Sequence, residues 1–163
     1  MDNFIRVYQN AFSNELCDRL ISKFESTELE ERERHDLGEM HFSQVNFRAC
    51  GWKQEQEELV HIFLSHTKRY TQDLNITTEF PEKYALEDIR LKKYVPDGYD
   101  QFGPHVDVVD KNTSTRFLVF FVYLDDNISG GTHFDRINLT SPCKKGSILI
   151  FPPLWTHLHS GLK

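Results

Sequence analysis

Arg116-Phe-Leu-Val-Phe-Phe-Val-Tyr-Leu-Asp-Asp126 is the stretch on which the fold turns. Its apolar run, Phe117 to Leu124, does not alternate with polar residues. A strand of that kind is buried on both faces. The run is short for a buried helix, rich in aromatic and β-branched residues, and bounded by polar residues at each end. Ile89–Val95 and Ser147–Phe151 have the same texture. Around and between these runs, Pro81, Pro96, Gly98, Gly103, Pro104, Gly130, Gly131, Pro142, Gly146, Pro152 and Pro153 punctuate the chain. Short apolar runs set between such breakers read as many short strands.

Upstream the periodicity changes. Ser13 is a good helix N-cap, and Leu16, Cys17, Leu20, Ile21 and Phe24 follow at helical spacing, which predicts a helix over 14–26. Trp52 to Leu74 predicts a second, with Trp52, Leu59, Ile62, Phe63, His66, Tyr70 and Leu74 near one face. The almost wholly charged stretch Glu28 to Asp36 is expected to be a solvated helix end or loop. No internal repeat or low-complexity linker divides the 163 residues. The expected architecture is α+β in a single domain, 1–163. A mainly helical part, 1–80, precedes a sandwich or jelly-roll core, 81–163.

Bulk properties narrow the function. A net charge of -6 gives no general grip on phosphates or acidic lipid, and no apolar run approaches the ~20 residues of a membrane span. The first residues lack the basic-then-apolar order of a secretory signal. Cys17, Cys50 and Cys143 are odd in number and far apart, which argues against a disulfide framework and fits a reducing compartment. A cytoplasmic location is therefore expected. Cys50 and Cys143 have no neighbouring base in sequence and are expected to be passive.

Chemistry concentrates in Tyr94-Val-Pro-Asp-Gly-Tyr-Asp-Gln-Phe-Gly-Pro-His-Val-Asp107. Residues i and i+2 of an extended chain point to one side, so His105 and Asp107 present an imidazole and a carboxylate to one point. Two imidazoles and one carboxylate on one octahedral face form the triad that holds non-haem iron(II) with open positions. A lone His-x-Asp is more often a loop histidine beside a turn aspartate. The second imidazole has three candidates: His157 and His159 in Phe151-Pro-Pro-Leu-Trp-Thr-His-Leu-His-Ser-Gly161, and His133 after Gly130-Gly131. Spacing does not separate His157 from His159. Trp155 is open to two readings, a substrate channel or a core cap, as are Tyr99 and Phe102, substrate contacts or pins for their loop.

Five motifs in order give a resemblance: Tyr94 with His105-x-Asp107, Arg116 with Tyr123-Leu-Asp, Gly130-Gly-x-x-Phe134, Lys145-Gly-Ser-x-x-x-Phe151, and His159-x-Gly161. Over residues 86–161 the chain resembles the prolyl 4-hydroxylase-like iron/2-oxoglutarate oxygenases, and Phe12-Ser-Asn-Glu-Leu-Cys17 is similar to their N-terminal region. The resemblance implies a double-stranded β-helix, a jelly roll with helices packed outside. It implies Fe(2+) held by His105, Asp107 and His159, with 2-oxoglutarate as co-substrate, molecular oxygen as oxidant and L-ascorbate as an accessory. Tyr94 and Tyr123 are implied to lie near the 2-oxoglutarate. The implied reaction is hydroxylation of a C–H bond in a prolyl residue of a peptide or protein, with a small-molecule substrate also open. The family carries a Lys or Arg in a last strand beyond the distal histidine. The given sequence ends at Lys163, so that strand is expected to be missing. Two other functions compete: oxidative demethylation of alkylated nucleic acid, which the acidic balance disfavours, and a non-catalytic jelly-roll binding module. Oligomeric state is not legible.

Overall fold

The computed structural model describes residues 4–28, 32–96 and 98–162. The element order is β1 (Arg6–Tyr8), α1 (Asn14–Ser26), β2 (Glu33–Leu37), β3 (Met40–Asn46), α2 (Lys53–Asp73), β4 (Arg90–Lys93), β5 (Gln101–His105), β6 (Val119–Val122), β7 (Asn127–Phe134), β8 (Leu139–Cys143), β9 (Ile148–Phe151) and β10 (His159–Leu162). Every strand pairing is antiparallel. Three strands form one sheet in the order β1-β9-β6. Seven form the other, in the order β2-β3-β5-β10-β7-β8 with β4 also paired to β3. Two antiparallel sheets and two helices make a β-rich, jelly-roll-like fold.

Why the runs around residues 120 and 150 do not alternate is now plain. On β9, Ile148 and Ile150 face a core that includes Leu16, Leu20 and Phe24 of α1 and Leu59, Phe63 and Tyr70 of α2. Leu149 and Phe151 face the opposite way, onto Ile5 and Phe134. β6 divides likewise, with Phe120 and Val122 on the helix side and Val119 and Phe121 on the other. The small sheet is therefore a middle layer, and each of its strands needs apolar residues at successive positions.

α1 starts where the cap predicts. The Ser13 hydroxyl accepts a hydrogen bond from the Leu16 amide at 3.1 Å, satisfying one of the orphan donors of the first turn. Helix α2 lacks such a cap, and its buried side includes Leu59, Phe63 and Tyr70.

The charged stretch departs from expectation. Residues 29–31 lie outside the described residues, but Glu33–Leu37 is a strand, hairpinned to β3. It has no apolar face. Polar pairs hold it instead: Gln44 donates to Glu33 at 2.6 Å, Arg34 to Asp100 at 2.7 Å, and His41 contacts Asp36. Residues 4–80 thus contribute three strands as well as two helices, and β1 and β3 enter different sheets.

Candidate metal centre

β10 lies between β5 and β7, and its register sets His159 directly opposite His105. Two residues distant in sequence are thereby brought side by side, with ring centroids 4.2 Å apart. Asp107 follows two residues after His105, and its amide donates to the Pro153 carbonyl at 3.2 Å, which ties the carboxylate-bearing turn to the segment before β10. One donor atom from each of His105, Asp107 and His159 lies within 4.8 Å of the other two.

The tautomers follow from the backbone. His105 Nδ1 lies 2.9 Å from the Gly103 carbonyl, and His159 Nδ1 lies 2.9 Å from the His157 carbonyl. A carbonyl only accepts, so both Nδ1 atoms carry the proton and both Nε2 atoms carry a lone pair. Burial pushes both imidazoles towards the neutral form, His105 down to about 4. Nε2 of His105 and Nε2 of His159 stand 4.0 Å and 3.7 Å from the Asp107 carboxylate, too far to hydrogen-bond. His105 Nε2, His159 Nε2 and Asp107 Oδ2 are buried and have no hydrogen-bond partner among the described residues. Three acceptors thus converge with no donor among them. Left so, they carry an uncompensated desolvation cost. A cation satisfies all three.

The surroundings hold this arrangement rigid. His159 is 1% exposed and is boxed by Phe121, Phe134 and Phe151, with centroids at 5.7, 6.0 and 4.8 Å. Phe102 lies against the His105 ring at 4.1 Å. The Arg116 guanidinium donates to the Asp107 carbonyl at 3.1 Å while its Nε binds Glu87 at 2.7 Å. Gly103 allows β5 to pass the β2–β3 turn: its amide donates to the Glu39 carbonyl at 2.8 Å, and a Cβ there would meet Glu39 Cβ at 2.5 Å.

The remaining candidates fall elsewhere. His157 ends a short helical turn, Trp155–His157, with Nδ1 at 2.7 Å from the Thr156 hydroxyl and its ring against Phe134 and Phe151. His133 contacts Thr140 at 2.9 Å and is not part of the converging group. The Tyr123 hydroxyl pairs with Thr132 at 2.8 Å and Ser141 at 2.7 Å, and burial raises its pKa. Tyr94 packs its ring on Phe42 at 5.6 Å and is 43% exposed. Tyr99 bonds Asp36 at 2.7 Å and stacks near His41, as a pin for its loop would. Trp155 is 71% exposed and caps no core. Cys17 is buried, and burial raises the pKa of Cys17 and Cys143, so neither is an activated thiol. One residue escaped the sequence reading: Lys92, whose ammonium stands over the Phe42 and Phe102 rings.

No protein-family model matches the sequence, and no curated protein matches it. Solved structures do. A viral collagen prolyl hydroxylase from Paramecium Bursaria Chlorella virus-1, in its 2OG complex, superposes with a TM-score of 0.68 at 20% identity, over 99% of this chain and 88% of that one. The chain has the prolyl-hydroxylase fold. A truncated form of the same viral enzyme gives 0.64 at 21% identity over 98% and 82% of the two chains. A Pseudomonas putida prolyl-4-hydroxylase gives 0.64 at 14% identity over 99% and 86%. Among the described residues no helix is long and apolar enough to cross a membrane.

Proposed function

We propose that this chain is an iron(II)- and 2-oxoglutarate-dependent oxygenase that hydroxylates a C–H bond, with a prolyl residue of a peptide or protein as substrate. The observation that carries the reading is the convergence of His105 Nε2, His159 Nε2 and an Asp107 oxygen, all buried and without a hydrogen-bond donor. The donor set suits iron(II) with open positions, two imidazoles and one carboxylate. The shared fold with prolyl hydroxylases, one of them in a 2OG complex, supports the co-substrate and the substrate class. In this reading the two sheets are the halves of a double-stranded β-helix, and the site lies between them.

Bound iron(II) with 2-oxoglutarate supplies the oxidising power, coupling decarboxylation of the oxo acid by molecular oxygen to oxygen insertion into the C–H bond. The chain supplies the rest. His105 and His159 keep their lone pairs inward because the Gly103 and His157 carbonyls hold the opposite ring nitrogens. Asp107 serves as ligand and not as general base. Arg116 and the Pro153 carbonyl fix its backbone from two sides. Phe121, Phe134 and Phe151 keep water from His159. Tyr123 and Tyr94 are assigned to the 2-oxoglutarate side. Tyr123 would present a hydroxyl already oriented by Thr132 and Ser141.

The test is anaerobic titration of the protein with iron(II) and then 2-oxoglutarate, followed by the weak visible charge-transfer band and, on admitting oxygen, by succinate. The band and succinate are expected from the native protein and from His157→Ala. His105→Ala, Asp107→Ala and His159→Ala are expected to lose both. A binding module would show no band at all. Loss in His157→Ala with retention in His159→Ala would transfer the ligand role to His157. Proline-containing peptides should raise succinate output, and their hydroxylation is read by a 16 Da mass gain.

A further inference from the structure

The two tryptophans of the chain are placed on opposite terms. Trp52 is buried, with the Phe47 ring at 4.8 Å and the Lys23 ammonium over its own ring. Trp155 is 71% exposed, and Leu154 beside it is exposed as well. Val109, two residues beyond Asp107, is 73% exposed. A lysine left in water is ordinary, but an indole left there forgoes a large apolar burial.

Both exposed residues adjoin the candidate metal centre. The Asp107 amide donates to the Pro153 carbonyl at 3.2 Å, so the segments that carry Val109 and Trp155 are joined two residues before each of them. Trp155 also opens the short turn that ends at His157, whose carbonyl steers His159. The apolar pair therefore stands next to the backbone that sets two of the three converging ligands.

Neither side chain is exposed through slackness. The Val109 and Asp110 amides both donate to the Thr113 hydroxyl at 3.0 Å, and the Thr113 amide donates back to the Asp110 carboxylate at 2.9 Å. The His157 amide closes its turn onto the Leu154 carbonyl at 2.8 Å, just after the buried Pro153. Apolar groups held outward on braced turns offer contact area with little ordering cost on binding. A flat indole face suits a proline ring. An extended proline-containing segment has no internal hydrogen bonds to break and loses little freedom on docking. The net charge of -6 favours the approach of a basic segment over an acidic one.

We propose that Trp155 and Val109 form a docking ridge for an extended, proline-containing segment of the substrate, beside the residue that is oxidised. This rests on the reading of His105, Asp107 and His159 as the metal centre of a peptide hydroxylase. Trp155 supplies the stacking face and Val109 a second apolar contact. Both are specificity-determining residues, and neither holds the metal.

The experiment measures binding of a labelled, lysine-flanked peptide of alternating alanine and proline to the manganese(II)-loaded full chain, by fluorescence anisotropy. The control peptide has alanine for every proline. Trp155→Ala should weaken binding of the proline peptide by ~10-fold, and Val109→Ser by ~3-fold, as expected when an apolar anchor of an interface is truncated. Trp155→Phe keeps an aromatic face and should stay within ~3-fold of the native affinity. Manganese(II) affinity should be the same in all of them. Because Trp52 is buried, acrylamide quenching of the native protein reads Trp155, and the proline peptide should protect it where the alanine peptide does not. Native affinity in Trp155→Ala, or quenching unchanged on peptide binding, overturns the docking ridge while the oxygenase reading stands. A native protein that binds manganese(II) but no proline peptide overturns the prolyl substrate and this proposal with it. A native protein that binds no metal overturns the oxygenase reading itself.

Discussion

Two buried regions of this molecule are built on opposite rules. In the core between the helices and the small sheet, Leu20, Phe24, Val45, Ile148 and Ile150 are all but closed to solvent and bring no polar side-chain atom with them. Across the small sheet, His159 is equally closed, yet it brings a nitrogen that no group among the described residues satisfies, facing two more acceptors. The first region spends its burial on stability. The second gives stability up, and an arrangement that costs free energy in isolation is what a bound ion can repay. The difference teaches that the converging acceptors are held in place by the rest of the fold rather than by their own attraction.

The comparison breaks most visibly at Phe24. Phe24→Ala should lower unfolding free energy by about 3–5 kcal/mol, read by chemical denaturation, because the α1 face has no room to collapse. If the two regions are independent, metal affinity of the folded fraction stays the same. Next in size is Arg116→Ala. It removes the donor on the Asp107 carbonyl without touching a candidate ligand, and a ~10–100-fold loss in metal affinity is expected, measured by competition with a chelator. Thermal stability of the metal-free protein should barely move, because the Arg116–Glu87 pair is solvent-exposed. The most gradual effect is in pH. Burial lowers His105 to about 4 from its usual value, so between those limits the unfolded chain binds the extra proton. Metal-free protein should therefore lose stability as the pH falls from about 6.5 towards 4, by no more than about 1.4 kcal/mol per pH unit for that one proton. Phe24→Ala should not change this slope, and denaturation midpoints measured at several pH values check both statements.

How legible these regions were in the sequence follows the same divide. The α1 boundaries could be read because Ser13 and the spacing of Leu16, Leu20 and Phe24 are local signals. The double-sided strands β6 and β9 could be read because burial on two faces leaves no alternation. β2 could not, since its Glu33, Arg34, His35 and Asp36 carry no apolar stripe and depend on partners on other elements, Gln44 and Asp100 among them. β1 is three residues long, below what any periodicity can reveal. At the site, the two-residue spacing of His105 and Asp107 was legible, but β5 ends at His105 and the turn that carries Asp107 is held by the Pro153 carbonyl and Arg116, which spacing does not reveal. The choice between His157 and His159 could not come from spacing, because the turn at Trp155–His157 interrupts the extended chain just before β10 begins.

Both histidines of the converging group are steered in the same way, each by a carbonyl two positions earlier on its own chain, Gly103 for His105 and His157 for His159. Main-chain oxygens survive every substitution. Any sequence that threads this backbone and keeps the two imidazoles inherits their tautomers without a supporting cast of side chains. The residues around the converging group are then at liberty to drift, while the inward set of the two ring nitrogens passes down unaltered.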